Sequence, residues 1–317
     1  MATAAASPYQ GPVPREIVDA HHHFWDLRQG HYPWLQEDYE GERFFLGEYR
    51  QILRDYLPDD LRHDAAPWNV VQTVHVEAEH DRGDQLGETR WLEALHGRTG
   101  LPSALVGHVF FHQPDAQQVL EAQARSPLMR GIRSKPVTAA TPDGSVRGQP
   151  GTMDDPRWLE GLARLPALGL SWDLRVPWWH LAEAAAVVRQ VPGLRVVLNH
   201  CGLPLDRSAE GLAAWRRGMA ALADCADVSV KLSEMGLRGG VWDHEGNIGV
   251  VRDTVAIFGH ERAIFASNLP VSGLSAPFGT IMDAVLRGLD AREQRVVDAV
   301  FAGNARRIYR LEEPPAG

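Results

Sequence analysis

Three consecutive histidines close the first apolar run of this chain, Ile17-Val18-Asp19-Ala20-His21-His22-His23. Alternate residues of a strand share a face, so Asp19, His21 and His23 are expected on one side and His22 on the other. Two imidazoles at one strand end can converge on a metal ion or on a polarised carbonyl. A second run, Val74-His75-Val76-Glu77-Ala78-Glu79, sets apolar residues against an ionisable face of His75, Glu77 and Glu79. The same alternation puts Arg133 and Lys135 on the inner face of a fourth run, Asp173 and Arg175 on a fifth, and Lys231 and Ser233 on VSVKLSE. Two further runs end in His200 and in Asn268. Together these groups suit ester hydrolysis, which needs an activated water, donors for the developing oxyanion and a proton for the leaving oxygen. Packing alone is a poor account of so many ionisable run ends, because each buried charge is costly unless paired. The plain alternative for His75 is a hydrogen-bonded core residue, and for Asp173 a salt bridge with Arg175 or Lys135. His22, His180, His244 and His260 read as surface or loop histidines.

These groups need elements to hold them, and the chain supplies eight short β-branched or apolar runs. They lie at roughly 16–20, 70–78, 103–109, 129–135, 168–174, 194–200, 226–232 and 263–268. Helical spacing of apolar residues fills most of the gaps, as over 86–95, 116–124, 181–188, 212–222 and 250–258. Strand–helix alternation implies a parallel sheet. Eight units favour an α/β fold closed as a (β/α)8 TIM barrel, a single domain over 16–317, and no GxGxxG follows the first strand to support a dinucleotide fold. Loops after barrel strands form the active-site face. An aromatic insert over 24–69, after strand one, is placed to cap a pocket there or simply to staple a long loop to the body. The Gly-, Pro- and Thr-rich stretch 136–157 is a candidate lid or a plain surface loop, and residues 1–15 read as a disordered leader.

Composition narrows the partners. With 32 Lys and Arg against 41 Asp and Glu, the net charge of −9 lacks the counter-charge that a phosphate backbone demands. No nucleic acid is expected. No run of about 18 apolar residues suggests a membrane span. Cys201 and Cys225 form no CxxC pair, so neither a disulfide framework nor a thiolate zinc site is encoded, which suits a cytoplasmic location. A small-molecule substrate is the expected partner, with a homo-oligomer left open by the aromatics of the insert.

The residues also carry a resemblance. DAHHHFWD, NHCGLP, VKLS, ASNLPV and the closing NARRIYRL occur in order over nearly the whole chain. They resemble the amidohydrolase superfamily, specifically the amidohydrolase-2 branch that includes sugar lactonases and a pyrone-dicarboxylate lactonase. The resemblance implies a TIM barrel and hydrolysis of a lactone or related ester at the strand ends. Carried over, the strand-one pair is His21 and His23, the strand-six histidine is His200, and the strand-eight acid position falls on Asn268. This departs from the superfamily's Asp, since an amide is no general base near neutral pH. Strand five departs too, with Trp172-Asp173-Leu174 where metal-dependent relatives often place a histidine.

The cofactor expectation is therefore none, or one divalent ion, zinc or manganese, held by His21, His23 and His200. In the expected mechanism these three polarise the carbonyl, directly or through the ion, while Arg133, Lys135 or Lys231 binds an anionic substrate group with His75 nearby. Glu77 is the first choice as base because it replaces the carboxylate missing at Asn268, and Asp173 is the second. Two other readings stand beside the lactonase: a metal-dependent decarboxylase of an aromatic or unsaturated acid, which Asn268 counts against, and a non-catalytic ligand-binding barrel.

Overall fold

Strands buried on both faces read as short apolar runs, and all eight runs form strands in the computed structural model, which describes residues 9–312. They are β1 (Ile17–His22), β2 (Val70–Val76), β3 (Ala104–Gly107), β4 (Met129–Ile132), β5 (Ser171–Leu174), β6 (Val196–Leu198), β7 (Val228–Leu232) and β8 (Ala263–Phe265). Neighbours in sequence are parallel neighbours in one sheet, β1 through β8. The ring closes just past β8, where Asn268 N–H donates to His21 O at 2.7 Å and His23 N–H to Leu269 O at 2.8 Å. The fold is a (β/α)8 barrel.

The insert after β1 carries two short helices, α1 (Pro33–Gln36) and α2 (Pro58–Ala65). The outer layer follows as α3 (Gly87–Thr99), α4 (Ala116–Ala124), α5 (Pro156–Ala163), α6 (Leu181–Val188), α7 (Ala209–Ala223), α8 (His244–Phe258) and α9 (Phe278–Leu289). Ser208 and Asp243 cap α7 and α8 by accepting from the N–H groups of Gly211 and Gly246 at 3.0 and 3.1 Å. The chain ends in α10 (Gln294–Asp298), a π-helical turn and α11 (Asn304–Tyr309).

Two cores result. The larger lies between strands and helices and takes Trp172, Leu174, Val196, Leu198, Val228, Val230 and Phe265. The smaller fills the barrel interior with Val18, Ala20, Val74, Val76, Ala104, Val106, Val197, Ile264 and Ala266, and Tyr309 of α11 reaches into it. Asp19 pairs with Thr73 but His22 with His75, so three steps on β1 oppose two on β2. That bulge breaks the simple alternation. His22 and His75 both turn toward the helices. His75 accepts from Phe24 N–H at 3.0 Å and lies 3.3 Å from Glu88 of α3, so the expectation that it binds substrate is corrected. Asp19 is also diverted, accepting from Ser267 N–H and Oγ–H at 2.8 and 2.5 Å. Neither His22 nor His180 is a surface residue, since both are buried.

Residues 1–8 of the expected leader and 313–317 lie outside the described residues. Within 9–15 the leader is tied down rather than free: Gln294 Nε2 donates to Val13 O at 2.8 Å and Asn69 Nδ2 to Arg15 O at 3.2 Å. The aromatic insert divides its labour. Trp25, Tyr32 and Tyr56 are buried staples, with Trp25 and Tyr56 bridged by mutual backbone bonds of 3.0 Å. Trp34, Phe44, Phe45 and Tyr49 face a cavity at the strand ends. No residue of 136–157 lines that cavity, and Val137 N–H donates to Gly151 O at 2.8 Å, so the stretch is a pinned surface loop. Among the described residues no helix is long and apolar enough to cross a membrane.

Candidate active site

A cavity of about 410 Å³ opens at the C-terminal mouth of the barrel. Its floor holds His23, His200 and Asn268, its wall carries Arg133, Lys135 and Arg175, and the aromatics of the insert cover it. His23 is aimed by the neighbouring strand β2, since Nδ1–H donates to Val76 O at 2.7 Å and leaves the lone pair of the neutral ring on Nε2. Nε2 stands 3.2 Å from Asn268 Oδ1. His200 arrives through a left-handed turn, with φ of 59° there and 50° at Cys201, and its Nδ1 lies 3.0 Å from Ser233 Oγ. The ring centroid of His21 is 5.0 Å from that of His23 and 4.6 Å from that of His200.

Burial, reinforced by neighbouring cations, holds all three imidazoles well below the ordinary histidine range. After burial the largest influence is Lys231 on His21, Arg133 on His23 and Arg175 on His200. They are held neutral at pH 7, the form in which an imidazole can act as a base.

Below the floor, Lys231 Nζ donates to Asp173 Oδ2 at 2.6 Å, with both side chains fully buried. Tyr309 O–H donates to the same oxygen at 2.9 Å and Asn199 Nδ2 at 3.3 Å. Gly131 makes room, since a Cβ there would come within 3.2 Å of Asp173 Oδ1. Neither Lys231 nor Asp173 lines the cavity. The expected roles of Lys231 as substrate anchor and Asp173 as base are therefore corrected: the two satisfy each other.

Glu77 is likewise occupied. Arg133 Nε donates to it at 2.7 Å and Arg82 at 2.9 Å, with Lys135 Nζ at 3.5 Å. Burial pushes its carboxyl up, but these three cations outweigh burial and hold it well below the usual carboxylate range. A permanent anion without access to the cavity is no base, and its evident effect is to fix Arg133. Lys135 is shared between Glu77 and Glu79. Arg175 differs: it makes no ion pair among the described residues, and its guanidinium sits 5.5 Å from the Phe45 ring centroid.

One site group escapes strand alternation altogether. The parity of Lys231 and Ser233 sends Glu234 outward, yet a left-handed φ of 47° turns it behind the floor. Asn268 Nδ2 donates to Glu234 Oε2, as does Ser272 Oγ at 3.0 Å. Oε1 is buried with no hydrogen-bond partner among the described residues. Burial raises this carboxyl to about 7 against the pull of Ser272 and Asn268. The only hint in the sequence is an acid directly after VKLS.

The three histidines do not fit the expected divalent ion. Among the described residues no three His, Cys, Asp or Glu donors are arranged to hold a metal. Lys231 Nζ–H points at His21 Nδ1 from 3.4 Å and takes up that lone pair, while His21 Nε2 is buried with no hydrogen-bond partner among the described residues. His23 Nε2 faces the Asn268 amide instead of a shared centre.

Comparison with known proteins adds the family context. The family profile described as Amidohydrolase matches residues 18–311. An uncharacterised protein of Sinorhizobium fredii is 32% identical over 298 residues, covering 93% of this chain and 98% of its own. The L-fucono-1,5-lactonase of Burkholderia ambifaria is 32% identical over 312 residues, covering 94% and 96%. Among solved structures, an amidohydrolase from Burkholderia multivorans with bound zinc superposes with a TM-score of 0.74 at 26% identity, covering 93% of this chain and 99% of that one.

Proposed function

Because this chain belongs to the amidohydrolase family and is a hydrolase, we propose that it opens a lactone or related carboxylic ester of a small anionic or hydroxyl-rich acid. The observation that carries this reading is the pairing, in one cavity, of neutral His23 and His200 with the guanidinium of Arg175, which makes no ion pair within 4.0 Å among the described residues. Arg175 meets a substrate carboxylate or polarised hydroxyl, and Arg133 lies beside it on the wall. The lactonase name of the Burkholderia ambifaria relative supports the ester class.

The chemistry needs only groups described above. A water donates one hydrogen to His23 Nε2 and the other to Asn268 Oδ1, which aims its lone pair at the carbonyl carbon. His23 takes the first proton as the hydroxide adds. With Ser233 Oγ–H donating to Nδ1, His200 presents Nε2–H to the oxyanion. The acyl C–O bond then breaks, and His23 returns its proton to the leaving oxygen, so lactone and water yield a hydroxy acid. Proton release measured over a panel of aldonolactones and carboxylated lactones tests the reading. Turnover of at least one lactone class is expected. Inertness toward every lactone and ester, with carbon dioxide released from aromatic acids, would replace hydrolysis with decarboxylation.

A further inference from the structure

The floor of the cavity ends in an amide, and an amide has two ends of nearly equal size and opposite chemistry: Oδ1 accepts and Nδ2 donates. Which end faces His23 is decided by whatever holds the other. Here Glu234 holds it, with Oε2 accepting from Asn268 Nδ2, so Oδ1 is left turned to His23 Nε2 at 3.2 Å. A carboxylate can only accept, so the ionised form of Glu234 selects the Nδ2 end. Both residues occupy the left-handed region, with φ of 47° at Glu234 and 56° at Asn268. Non-glycine residues hold such conformations at a cost, and only where their surroundings enforce them. Ser272 completes the clamp by donating its Oγ–H to the same Oε2 and its N–H to Asn268 O at 2.9 Å.

We propose that Glu234 is a positioning residue that acts through Asn268, keeping the amide oxygen toward His23 so that Oδ1 accepts from Nε2–H once His23 has taken a proton from water. This rests on the hydrolase reading given above. With the amide reversed, Nδ2–H would donate to His23 Nε2 and occupy the atom that must take a proton.

The clamp is sensitive to pH. The charged side chain facing Glu234 is Arg175 from the end of β5, and its other polar neighbours, Asn268, Ser272 and the Gly236 N–H, are neutral. As a carboxylate Glu234 selects the Nδ2 end. Protonation on Oε2, the oxygen that holds the amide, makes it a donor, selects Oδ1 and turns the amide round. Burial places that change near pH 7, so turnover falls below neutrality although His23 itself is neutral there.

Two measurements test this. In the full chain labelled with 15N-asparagine, which contains five asparagines, the Asn268 side-chain amide signal, assigned by its loss in Asn268→Asp, is followed against pH. A transition near neutrality in the wild type and none in Glu234→Gln is the expected result; no transition, or the same one in both, overturns the proposal whether or not any lactone is turned over. On a lactone that the wild type hydrolyses, Glu234→Gln should lower kcat on the order of 10²-fold, the scale of a misplaced reacting group, with KM little changed. Asn268→Asp alone sets two carboxylates in contact and should also lose activity. The exchanged pair, Glu234→Gln with Asn268→Asp, restores one acid and one amide and should regain most of kcat. Wild-type turnover with an unchanged kcat and pH profile in Glu234→Gln would sink the positioning role and leave the hydrolase reading standing; no turnover of any lactone would sink that reading, with the amide signal still deciding the clamp.

Discussion

Lys231 and Asp173 form an ion pair of 2.6 Å at the centre of the barrel, each without exposed surface. Desolvation makes such a pair a poor source of net stability, but an unpaired half is far worse. Lys231→Met should therefore cost on the order of 3–5 kcal/mol, read by urea unfolding. The double change Lys231→Met with Asp173→Leu should recover much of that loss. A single variant as stable as wild type would show that the pair is not coupled as described.

Arg175 is the wall cation with no carboxylate of its own among the described residues. A hydrogen bond to a charged group is worth about 1.5–3 kcal/mol, so Arg175→Gln should lower kcat/KM roughly 10- to 10²-fold for a carboxylated lactone. A neutral lactone of the same ring should lose much less. Equal losses on both would assign Arg175 to the scaffold.

Glu234 leaves a mark on stability separate from its effect on turnover. Burial raises it from 4.5 to about 7, so the folded chain favours its protonated form. Stability from this group is full below about pH 4.5 and is lost as pH rises through about 7. Glu234→Gln cannot ionise. Its stability relative to wild type should therefore climb between those limits and level off above them, measured by urea unfolding at a series of pH values. A difference that stays flat across the window would place Glu234 in water.

Chelation separates the histidine cluster from a metal centre. Since Lys231 points a proton at His21 Nδ1 and no three donors converge among the described residues, lactone turnover should survive dialysis against a strong chelator. The protein should hold zinc or manganese well below one equivalent by elemental analysis. Stoichiometric metal with activity lost on its removal would require His21 and His23 to rearrange.

The barrel was legible because eight apolar runs and intervening helical spacing are local patterns that the fold does not override. His23, Arg133 and Lys135 reach the cavity on the faces that strand alternation gives them, whereas His200 and Asn268 come to it from left-handed turns past β6 and β8. His75 was not legible, because the apolar face of β2, Val74 and Val76, fills the barrel interior and leaves His75 on the helix side, the reverse of the face the charges suggested. Glu77 and Asp173 were found as buried inward acids, yet their partners come from other strands, loops and α11, which no single-strand pattern reveals. Glu234 was hidden by a left-handed turn at a residue that is not glycine.

Tyr309 gives the barrel a schedule as well as a support. It comes from α11, last of the described elements to be synthesised, yet its hydroxyl bonds Asp173, which holds Lys231 beneath His21 of β1. Synthesis proceeds from the N-terminus at a finite rate. The histidines of the first strand therefore leave the ribosome long before the residue that completes the ground under them. A nascent barrel would carry an Asp–Lys pair open to water from below and an unfinished floor above it. The support beneath the first-strand histidines is complete only when that final helix docks.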